Sequence, residues 1–213
     1  MNESYNSNRT IFATIPIRPH KSAPAQKPVN QVRIIGGRWR GRRVRFPATP
    51  DLRPTPDRVR ETLFNWLGQD LTGTTTLDLF AGSGALSLEA LSRGAARAVA
   101  VDRNAALVRA LTAAGAALGT NALEVYRSDA IAYLAREARL FDIIFLDPPF
   151  GNPRWSELLP VACAHMAPRG ALYVEASAPF GAPPGLSVWR SDKAGQVHYH
   201  LLQRVKASET GPC

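Results

Sequence analysis

The sequence predicts an α/β fold built on a doubly wound, mostly parallel sheet. From Thr74 onward, apolar segments typical of buried strands alternate with helical segments of about 10–15 residues. The first two helical segments of this region end at Gly94 and Gly119, and glycine is the residue that most often follows a helix. The predicted strands are TTLDLF, ARAVAVD, LEVYR, FDIIFLD and GALYVEA, followed by a closing hairpin of LSVWRSD and QVHYHLLQR.

The residues before Thr74 divide into a tail, a hairpin and a helix. Residues 1–30 are rich in Asn, Ser and Pro and predict a disordered tail. Alternation in VRI and RVRF predicts a β-hairpin over 32–46, and DRVRETLFNWL after Pro56 predicts a helix opened by proline. Because 213 residues leave room for one globular unit, we expect a single domain over 31–213 that includes the hairpin.

The composition argues against several classes of protein. No apolar run reaches the length of about 18 residues that a membrane-spanning helix needs, and we expect no secretory signal. Two cysteines, Cys163 and Cys213, are too few for a disulfide framework or a metal site, so we expect no metal and a reducing cytoplasm. The net charge of +9 and the pI near 10.2 indicate a polyanionic partner.

The basic residues are concentrated in the predicted hairpin. Six arginines fall within the thirteen residues from Arg33 to Arg45, without lysine or acid, and Trp39 and Phe46 lie among them. Guanidinium groups bind phosphates in a fork and stack on bases, so we favour a nucleic-acid-binding arm over a merely solvated surface. The predicted RNA contacts are Arg38, Arg40, Arg42, Arg43 and Arg45.

Two unusual segments follow predicted strands of the sheet. The segment from Asp78 to Gly84 comes directly after the first strand, and the segment from Asp147 to Phe150 comes directly after the fourth. Ligands of a doubly wound sheet bind beyond the carboxyl ends of its strands, where the strand order reverses. In the common order 3-2-1-4-5 these two strands are neighbours, so we expect the two loops to face each other.

The glycine loop after the first strand is typical of a nucleotide-binding turn. Gly82 and Gly84 allow a tight turn and a close approach of the backbone to a ligand. Ser87 stands where a dinucleotide fingerprint has its third glycine, which disfavours NAD. Asp102 ends the second strand, where a carboxylate can accept both ribose hydroxyls. Together with Asp78 at the end of the first strand, these features fit a nucleoside cofactor without a pyrophosphate.

Asp129 follows the third predicted strand and has two interpretations. A carboxylate there can accept a hydrogen bond from an adenine amino group, and it can also cap the helix that begins at Ala130. The two roles are compatible with each other.

Asp147-Pro148-Pro149-Phe150 is the more specific of the two segments. The prolines favour an extended loop, and we expect the Asp147 side chain and the Pro148 carbonyl to form a pair of acceptors that face one way. An exocyclic amine offers two hydrogens to such a pair, and Phe150 can stack on the base, which contributes roughly 1–3 kcal/mol. The pattern predicts methyl transfer to a planar amine.

Three stretches of the chain resemble the RsmD family, bacterial methyltransferases of the guanine 2-amino group in small-subunit ribosomal RNA. They are LRPTPDRVRETLFNWL (52–67), LDLFAGSGALSLEALSRGA (77–95) and FLDPPF (145–150). VRIIGGRWRGRRV is also similar to the family's N-terminal hairpin. The resemblance runs from about Val32 to Arg204, and its motifs are specific in combination.

The resemblance implies a class I S-adenosylmethionine-dependent methyltransferase, Rossmann-like, with seven strands of which the last is antiparallel. It implies guanine 966 as the target and a segment, Arg53–Arg60, that folds over the cofactor. Asp102 stands where glutamate is common in such enzymes, and Phe150 where tyrosine is common. The predicted cofactor-binding residues are Thr55, Arg60, Asp78, Phe80, Ala81, Gly82, Ser83, Gly84, Asp102, Arg103, Asp129 and Ala130, and the predicted catalytic residues are Asp147, Pro148, Pro149 and Phe150.

Two alternatives stay open from the sequence. The amine could belong to adenine or cytosine of a nucleic acid, or to a glutamine side chain, because each offers the same two hydrogens to the loop. A non-catalytic RNA-binding assembly factor is the second alternative, which the intact Asp147 and the glycines of the loop disfavour. We expect a monomer that acts on ribosomal RNA or the small ribosomal subunit, away from membranes.

Overall fold

The computed structural model describes residues 29–49, 52, 55–149 and 154–205. A strand pair precedes a larger sheet whose strands alternate with helices. In chain order the elements are β1 (Val29–Arg33), a 3₁₀ turn (Gly37–Trp39), β2 (Arg43–Pro47), α1 (Asp57–Leu67), β3 (Thr75–Asp78), α2 (Ala85–Ser92), β4 (Arg97–Asp102), α3 (Ala105–Ala117), β5 (Leu123–Arg127), α4 (Ala130–Leu134), β6 (Phe141–Leu146), α5 (Trp155–Ala164), β7 (Met166–Ala176), β8 (Leu186–Ala194) and β9 (Val197–Arg204).

The larger sheet has seven strands in the order β5-β4-β3-β6-β7-β9-β8. Strands β5, β4, β3, β6 and β7 run parallel to their neighbours, whereas β9 is antiparallel to both β7 and β8. This topology confirms the predicted doubly wound sheet with an antiparallel last strand.

Strand order reverses at β3, which pairs with β4 on one side and with β6 on the other. The loops after β3 and β6 therefore leave the sheet side by side, as predicted. Asp78 is in register with Phe145, and the backbone N–H of Leu79 donates to the Phe145 carbonyl oxygen at 3.2 Å. The two segments that the sequence singles out thus begin at the same edge of the sheet, and Asp147 lies two residues beyond the residue in register with Asp78.

The sheet separates two apolar cores. One face packs against α1, α2, α3 and the β1–β2 hairpin, and its largest buried side chains include Phe64, Phe145, Tyr173 and Tyr199. The other face packs against α4 and α5 through an aliphatic cluster around Leu146. Side chains on both faces are buried because helices cover both, which explains the near-continuous apolar runs of the central strands.

The N-terminal hairpin is part of the folded unit. Its apolar side chains, Val32, Ile34, Val44 and Phe46, are buried against the first core, while the alternate arginines are exposed. Trp39 is also buried, at 6% exposure. The two aromatic residues that lie near the arginines in the sequence, Trp39 and Phe46, therefore pack inside the protein.

The hairpin begins earlier than predicted. β1 starts at Val29 and pairs Val29 with Pro47, so the last two residues of the range predicted as a tail belong to a strand. Residues 1–28 lie outside the described residues, and the predicted tail stays a prediction there. A smaller difference concerns Met166: the segment WSELLPVACAHM predicts a helix that ends at Met166, whereas this residue opens β7, opposite Phe141 of β6.

A buried ionic network attaches the hairpin to the sheet domain. Glu89 in α2 is fully buried and accepts hydrogen bonds from Arg93 Nε at 2.9 Å, from the Ile35 backbone N–H at 2.9 Å and from Arg60 Nη1 at 3.4 Å. Arg60 Nη2 also donates to the Arg33 carbonyl oxygen at 2.9 Å. A buried carboxylate needs such partners, so the network makes the hairpin and the domain one cooperative unit.

Among the residues that the structure describes, no helix is long and apolar enough to cross a membrane.

Candidate active site

A cavity of about 1000 Å³ opens at the carboxyl edge of the sheet. It lies where the strand order reverses, the position expected for a ligand of this architecture. The loops after β3, β4, β5 and β6 line the cavity on the side of the sheet, and residues between the hairpin and α1 line the side away from the sheet. The described lining residues that sequence analysis predicted are Thr55, Asp78, Phe80, Ala81, Gly82, Ser83, Asp102, Arg103, Asp129, Ala130, Asp147, Pro148 and Pro149.

Gly82 forms the closest approach of the glycine loop to the cavity. Its φ of 52° lies in the left-handed region, and a Cβ there would stand 2.7 Å from Leu52 Cδ1. Glycine is therefore required both by the backbone conformation and by the space beneath Leu52.

Gly84 turns the chain into α2 and packs against α3. It is absent from the described cavity lining, and a Cβ on it would meet Leu111 Cδ1 of α3 at 2.2 Å. Its φ of 75° turns the chain into α2. The residue also serves helix packing, which needs the missing side chain, and its predicted contact with the cofactor stays a prediction.

Asp102 is held in place by two backbone donors. Its Oδ2 accepts a hydrogen bond from the Gly82 N–H at 2.8 Å, and its Oδ1 accepts one from the Asn104 N–H at 2.7 Å. Each carboxylate oxygen can accept a second hydrogen bond. The side chain is thus oriented at the cavity wall with acceptor capacity left for two ligand hydroxyls.

Asp129 caps α4, as one of its two interpretations predicted. Its Oδ1 accepts hydrogen bonds from the backbone N–H groups of Ile131 at 3.0 Å and Ala132 at 3.3 Å. The residue also lines the cavity, and Oδ2 receives neither of these bonds. The capping role fixes the side chain, while one oxygen can face a ligand amine.

Asp78 presents an acceptor without a partner. Its Oδ2 accepts a hydrogen bond from Ser87 Oγ at 2.9 Å, whereas Oδ1 is buried and has no hydrogen-bond partner among the residues that the structure describes. Burial raises the pKa of this carboxyl to about 7, against the opposing effect of the Ser87 hydrogen bond. A buried acceptor is costly to leave unsatisfied, so this oxygen fits a donor on a bound ligand, preferably a cation.

Asp147 and the two prolines line the cavity opposite the glycine loop. Thr55 Oγ1 donates to Asp147 Oδ2 at 3.2 Å, which ties the segment before α1 to the loop after β6. Phe150 and Arg53 lie outside the described residues, so the stacking predicted for Phe150 stays a prediction.

Arg60 is not among the described residues of the cavity wall, although it was predicted to lie near the cofactor. Its guanidinium is buried in the ionic network with Glu89, and its Nε donates to the Thr55 carbonyl oxygen at 3.3 Å. Arg60 therefore supports Thr55, which in turn contacts Asp147. The position of Arg60 near the cofactor, which the resemblance implies, stays a prediction.

Comparison with known proteins identifies the family. The family model described as conserved hypothetical protein 95 matches residues 32–203. Ribosomal RNA small subunit methyltransferase D of Escherichia coli K12 is 42% identical over 185 residues, which cover 84% of this chain and 93% of that protein. This chain belongs to the RsmD family.

Solved structures agree with this assignment. A putative methyltransferase from Escherichia coli, 42% identical, matches with a TM-score of 0.75 over 82% of this chain and 98% of that chain. The 16S rRNA N2 G1207 methyltransferase of Thermus thermophilus, in complex with AdoMet and guanosine, matches with a TM-score of 0.64 at 24% identity, over 84% of this chain and 50% of that one. The second likeness bears on the fold alone.

The RsmD-family chain is a class I methyltransferase that uses S-adenosylmethionine, as predicted. The residues present fit that cofactor on structural grounds. The unpartnered Asp78 oxygen suits a cationic donor, Asp102 suits vicinal hydroxyls, and the backbone of Gly82 lines the cavity without a side chain.

Sequence reasoning missed two residues behind the cavity, Glu175 and Tyr173. Tyr173 Oη donates to Glu175 Oε1 at 2.8 Å, and both side chains are buried in β7. The signal was available: GALYVEA places an acid inside an apolar strand, as TTLDLF does with Asp78. Such an acid calls for a partner, and here the hydroxyl of Tyr173 is its hydrogen-bond partner.

Proposed function

We propose that this enzyme methylates the 2-amino group of a guanine in small-subunit ribosomal RNA, by family analogy guanine 966 of 16S rRNA. The observation that carries the proposal is the Asp147-Pro148-Pro149 loop at the wall of the cofactor cavity, in a chain 42% identical to a ribosomal RNA small subunit methyltransferase D. The fold and the cofactor restrict the reaction to methyl transfer, and the loop favours an amine as acceptor. Guanine rests on the family relationship.

The cofactor would be held by three carboxylates and the glycine loop. We propose that Asp78 accepts from its cationic amino end, Asp102 from its ribose hydroxyls and Asp129 from its adenine amino group. The backbone from Phe80 to Ser83 would lie against it, with Arg103 and Ala130 at the adenosine end and Thr55 above.

The chain's own residues act mainly by orientation. S-adenosylmethionine supplies a methyl group on a positively charged sulfur, so no further activation of carbon is needed. Asp147 and the Pro148 carbonyl accept the two amine hydrogens and aim the nitrogen lone pair, which is otherwise conjugated with the base. Correct alignment of two reactants can lower a barrier by about 7–11 kcal/mol.

The RNA would contact the exposed arginines of the hairpin, Arg38, Arg40, Arg42, Arg43 and Arg45. We propose that the hairpin, rigidly attached through Glu89, presents these charges beside the cavity. The target guanine must leave any stack or pair to reach Asp147, so a loop nucleotide is the expected substrate. The cytoplasm is the expected location and a monomer the expected state.

The affinity for S-adenosylmethionine should depend on pH through Asp78. The carboxylate form accepts from a cation, and burial raises its pKa to about 7, so binding should weaken as pH falls through 7. Between pH 8 and pH 6 we expect a loss of roughly tenfold in affinity, measured by calorimetry. Asp78→Asn should bind more weakly, with little dependence on pH. Asp142→Asn is the matched control, because Asp142 lies near the start of β6, at the edge of the sheet away from Asp78. This variant should behave as the parent protein. If the cofactor affinity of Asp78→Asn depended on pH as strongly as that of the parent, the assignment would be contradicted.

The substrate assignment is tested by nucleoside mass spectrometry. Ribosomal RNA from a strain that lacks the gene should lose N2-methylguanosine from one position of the small-subunit RNA and regain it when the gene is restored. Loss of a methylated adenine or cytosine would replace guanine with that base. Unchanged RNA, together with no binding of S-adenosylmethionine, would favour the non-catalytic assembly factor.

A further inference from the structure

Three carboxyl groups meet on one face of the sheet behind the cavity. Phe145 is in register with Asp78 on one side and with Tyr173 on the other. Asp147 lies two residues beyond Phe145, and Glu175 lies two residues beyond Tyr173. Because side chains alternate along a strand, all of these residues point to the same face. Cofactor and substrate binding account for Asp78 and Asp147 but leave Glu175 without a role.

In the parallel β6–β7 ladder Leu146 pairs with Val174, so the next residues, Asp147 and Glu175, lie side by side. A hydrogen bond between the two carboxyl groups lowers the pKa of Asp147 and raises the pKa of Glu175. Tyr173 Oη donates to the same glutamate at 2.8 Å, and Thr55 Oγ1 donates to the aspartate at 3.2 Å. Two carboxyl groups form a hydrogen bond only when one of them carries a proton. Glu175 is 5% exposed and absent from the described cavity lining, whereas Asp147 lines the cavity, so the proton belongs on Glu175.

We propose that Glu175 is a positioning residue whose protonated carboxyl donates to Asp147 and keeps Asp147 an oriented, anionic acceptor for the substrate amine. The proposal rests on the amine-methylating function above and adds a residue to it. Thr55 and Glu175 then hold the aspartate from two sides.

The proton transfers that the reaction requires are consistent with this arrangement. The amine nitrogen forms a bond to the methyl carbon while the carbon–sulfur bond breaks, and that bonding pair stays on sulfur, which becomes neutral. The nitrogen becomes positively charged and loses one proton to the Asp147 carboxylate, which returns it to solvent after product release. Glu175 keeps its own proton throughout, so it is not consumed in the cycle.

The pKa values of the two carboxyl groups also indicate that the pair carries one proton, on Glu175. Burial is the main cause that raises both pKa values, and the neighbouring Asp147 charge raises that of Glu175 further, so the pair titrates at about 6 and about 8. The groups that face it are Tyr173 of the same strand, Asp78 of β3 and, beyond Tyr173, Tyr199 of β9. The active form, with one proton on the pair, is lost below about pH 6 by protonation and above about pH 8 by ionisation.

Two substitutions of Glu175 separate positioning from structural support. Glu175→Gln keeps the size and a donor but cannot ionise; Glu175→Leu keeps the approximate volume without a donor. We expect kcat at pH 7 to stay within about threefold in the glutamine variant and to fall roughly 10- to 100-fold in the leucine variant, with KM for RNA and cofactor affinity nearly unchanged. The alkaline decline of kcat near pH 8 should disappear in Glu175→Gln.

Tyr173→Phe removes the donor to Glu175 and has Tyr199→Phe as its matched control. Tyr199 is a neighbouring buried tyrosine whose Oη donates to Asp192 instead, at 2.8 Å. The first variant should move the alkaline limb of the kcat profile, and the control should not. Equal kcat loss in Glu175→Gln and Glu175→Leu, or full activity in Glu175→Leu, would overturn the proposal.

A measurement without RNA keeps the proposal independent of the substrate. Carbon-13 NMR titration of the carboxyl groups in the free protein should show a higher pKa for Asp147 in Glu175→Leu than in the parent, because burial then acts without the donor. Glu175→Gln should leave that pKa close to the parent value. The same Asp147 pKa in all three proteins would refute the pairing, whereas a failure of the parent to methylate guanine would refute the proposed function alone.

Discussion

Replacement of Asp147 by alanine should reduce methyl transfer by at least about 10²–10³-fold, the size of effect seen when one preorganised hydrogen-bonding group is removed from an active site. The substrate amine would lose its acceptor, and the nitrogen lone pair would stay conjugated with the base. Cofactor affinity should change by less than about threefold, because Asp78, Asp102 and Asp129 line other parts of the cavity. Single-turnover rates with RNA and calorimetric titration of the cofactor measure the two effects separately.

The matched control for Asp147→Ala is Asp142→Ala, near the start of β6, the strand that Asp147 directly follows. Asp142 accepts from the Thr75 backbone N–H at 2.8 Å at the opposite edge of the sheet, so its loss should not touch the transfer rate beyond any effect on stability. A parallel loss of rate and cofactor affinity in Asp147→Ala would mean that the aspartate binds the cofactor or supports the fold. A rate loss without an affinity loss would place it at the amine.

The separation between rate and affinity follows from the topology of the sheet. Asp78 ends β3 and Asp147 directly follows the neighbouring strand β6, and the two residues belong to different loops of the cavity wall. This much was predictable from sequence, because strand–helix alternation determines strand neighbours and an acid at the end of an apolar strand needs a reason to be there. The positions of the glycine loop where the backbone turns tightly were also predictable from the sequence.

Side-chain direction was less predictable than position in the chain. Arg60 and Gly84 lie in the predicted segments, yet Arg60 turns toward Glu89 and Gly84 faces Leu111. Both outcomes depend on packing against α2 and α3, contacts that no local pattern encodes. Trp39 shows the same limit: an aromatic residue among arginines resembles a base-stacking motif, but the hairpin docks on the domain and buries the ring.

Because Trp39 is buried, the hairpin can contact RNA mainly through its arginines. With its apolar side chains turned inward, the outward surface of the hairpin consists largely of guanidinium groups. Its contribution to RNA binding should therefore be electrostatic rather than stacking. Electrostatic binding has a distinct signature, because phosphate contacts release counterions and make affinity depend on salt.

Replacement of Arg40, Arg42 and Arg43 by glutamine should weaken RNA binding and flatten its salt dependence. Each lost phosphate contact lowers the slope of log affinity against log salt by about 0.7 for single-stranded RNA, so the triple variant should lose up to about 2 units of slope. At ~0.1 M salt this corresponds to a loss of roughly 100-fold in affinity. Filter binding or fluorescence anisotropy over a salt series provides the measurement.

A triple variant of equal charge controls for the lower net charge of the protein. Three exposed arginines outside the hairpin suit this purpose: Arg136 just after α4, Arg169 in β7 and Arg190 in β8. Their replacement by glutamine removes the same three charges. If RNA binds along the hairpin, the control variant should retain most of the salt slope and most of the affinity for RNA. An equal loss in both variants would show that overall charge, rather than this surface, attracts RNA, and an unchanged slope in the hairpin variant would place the RNA elsewhere. Retained cofactor binding in both would confine either effect to the RNA.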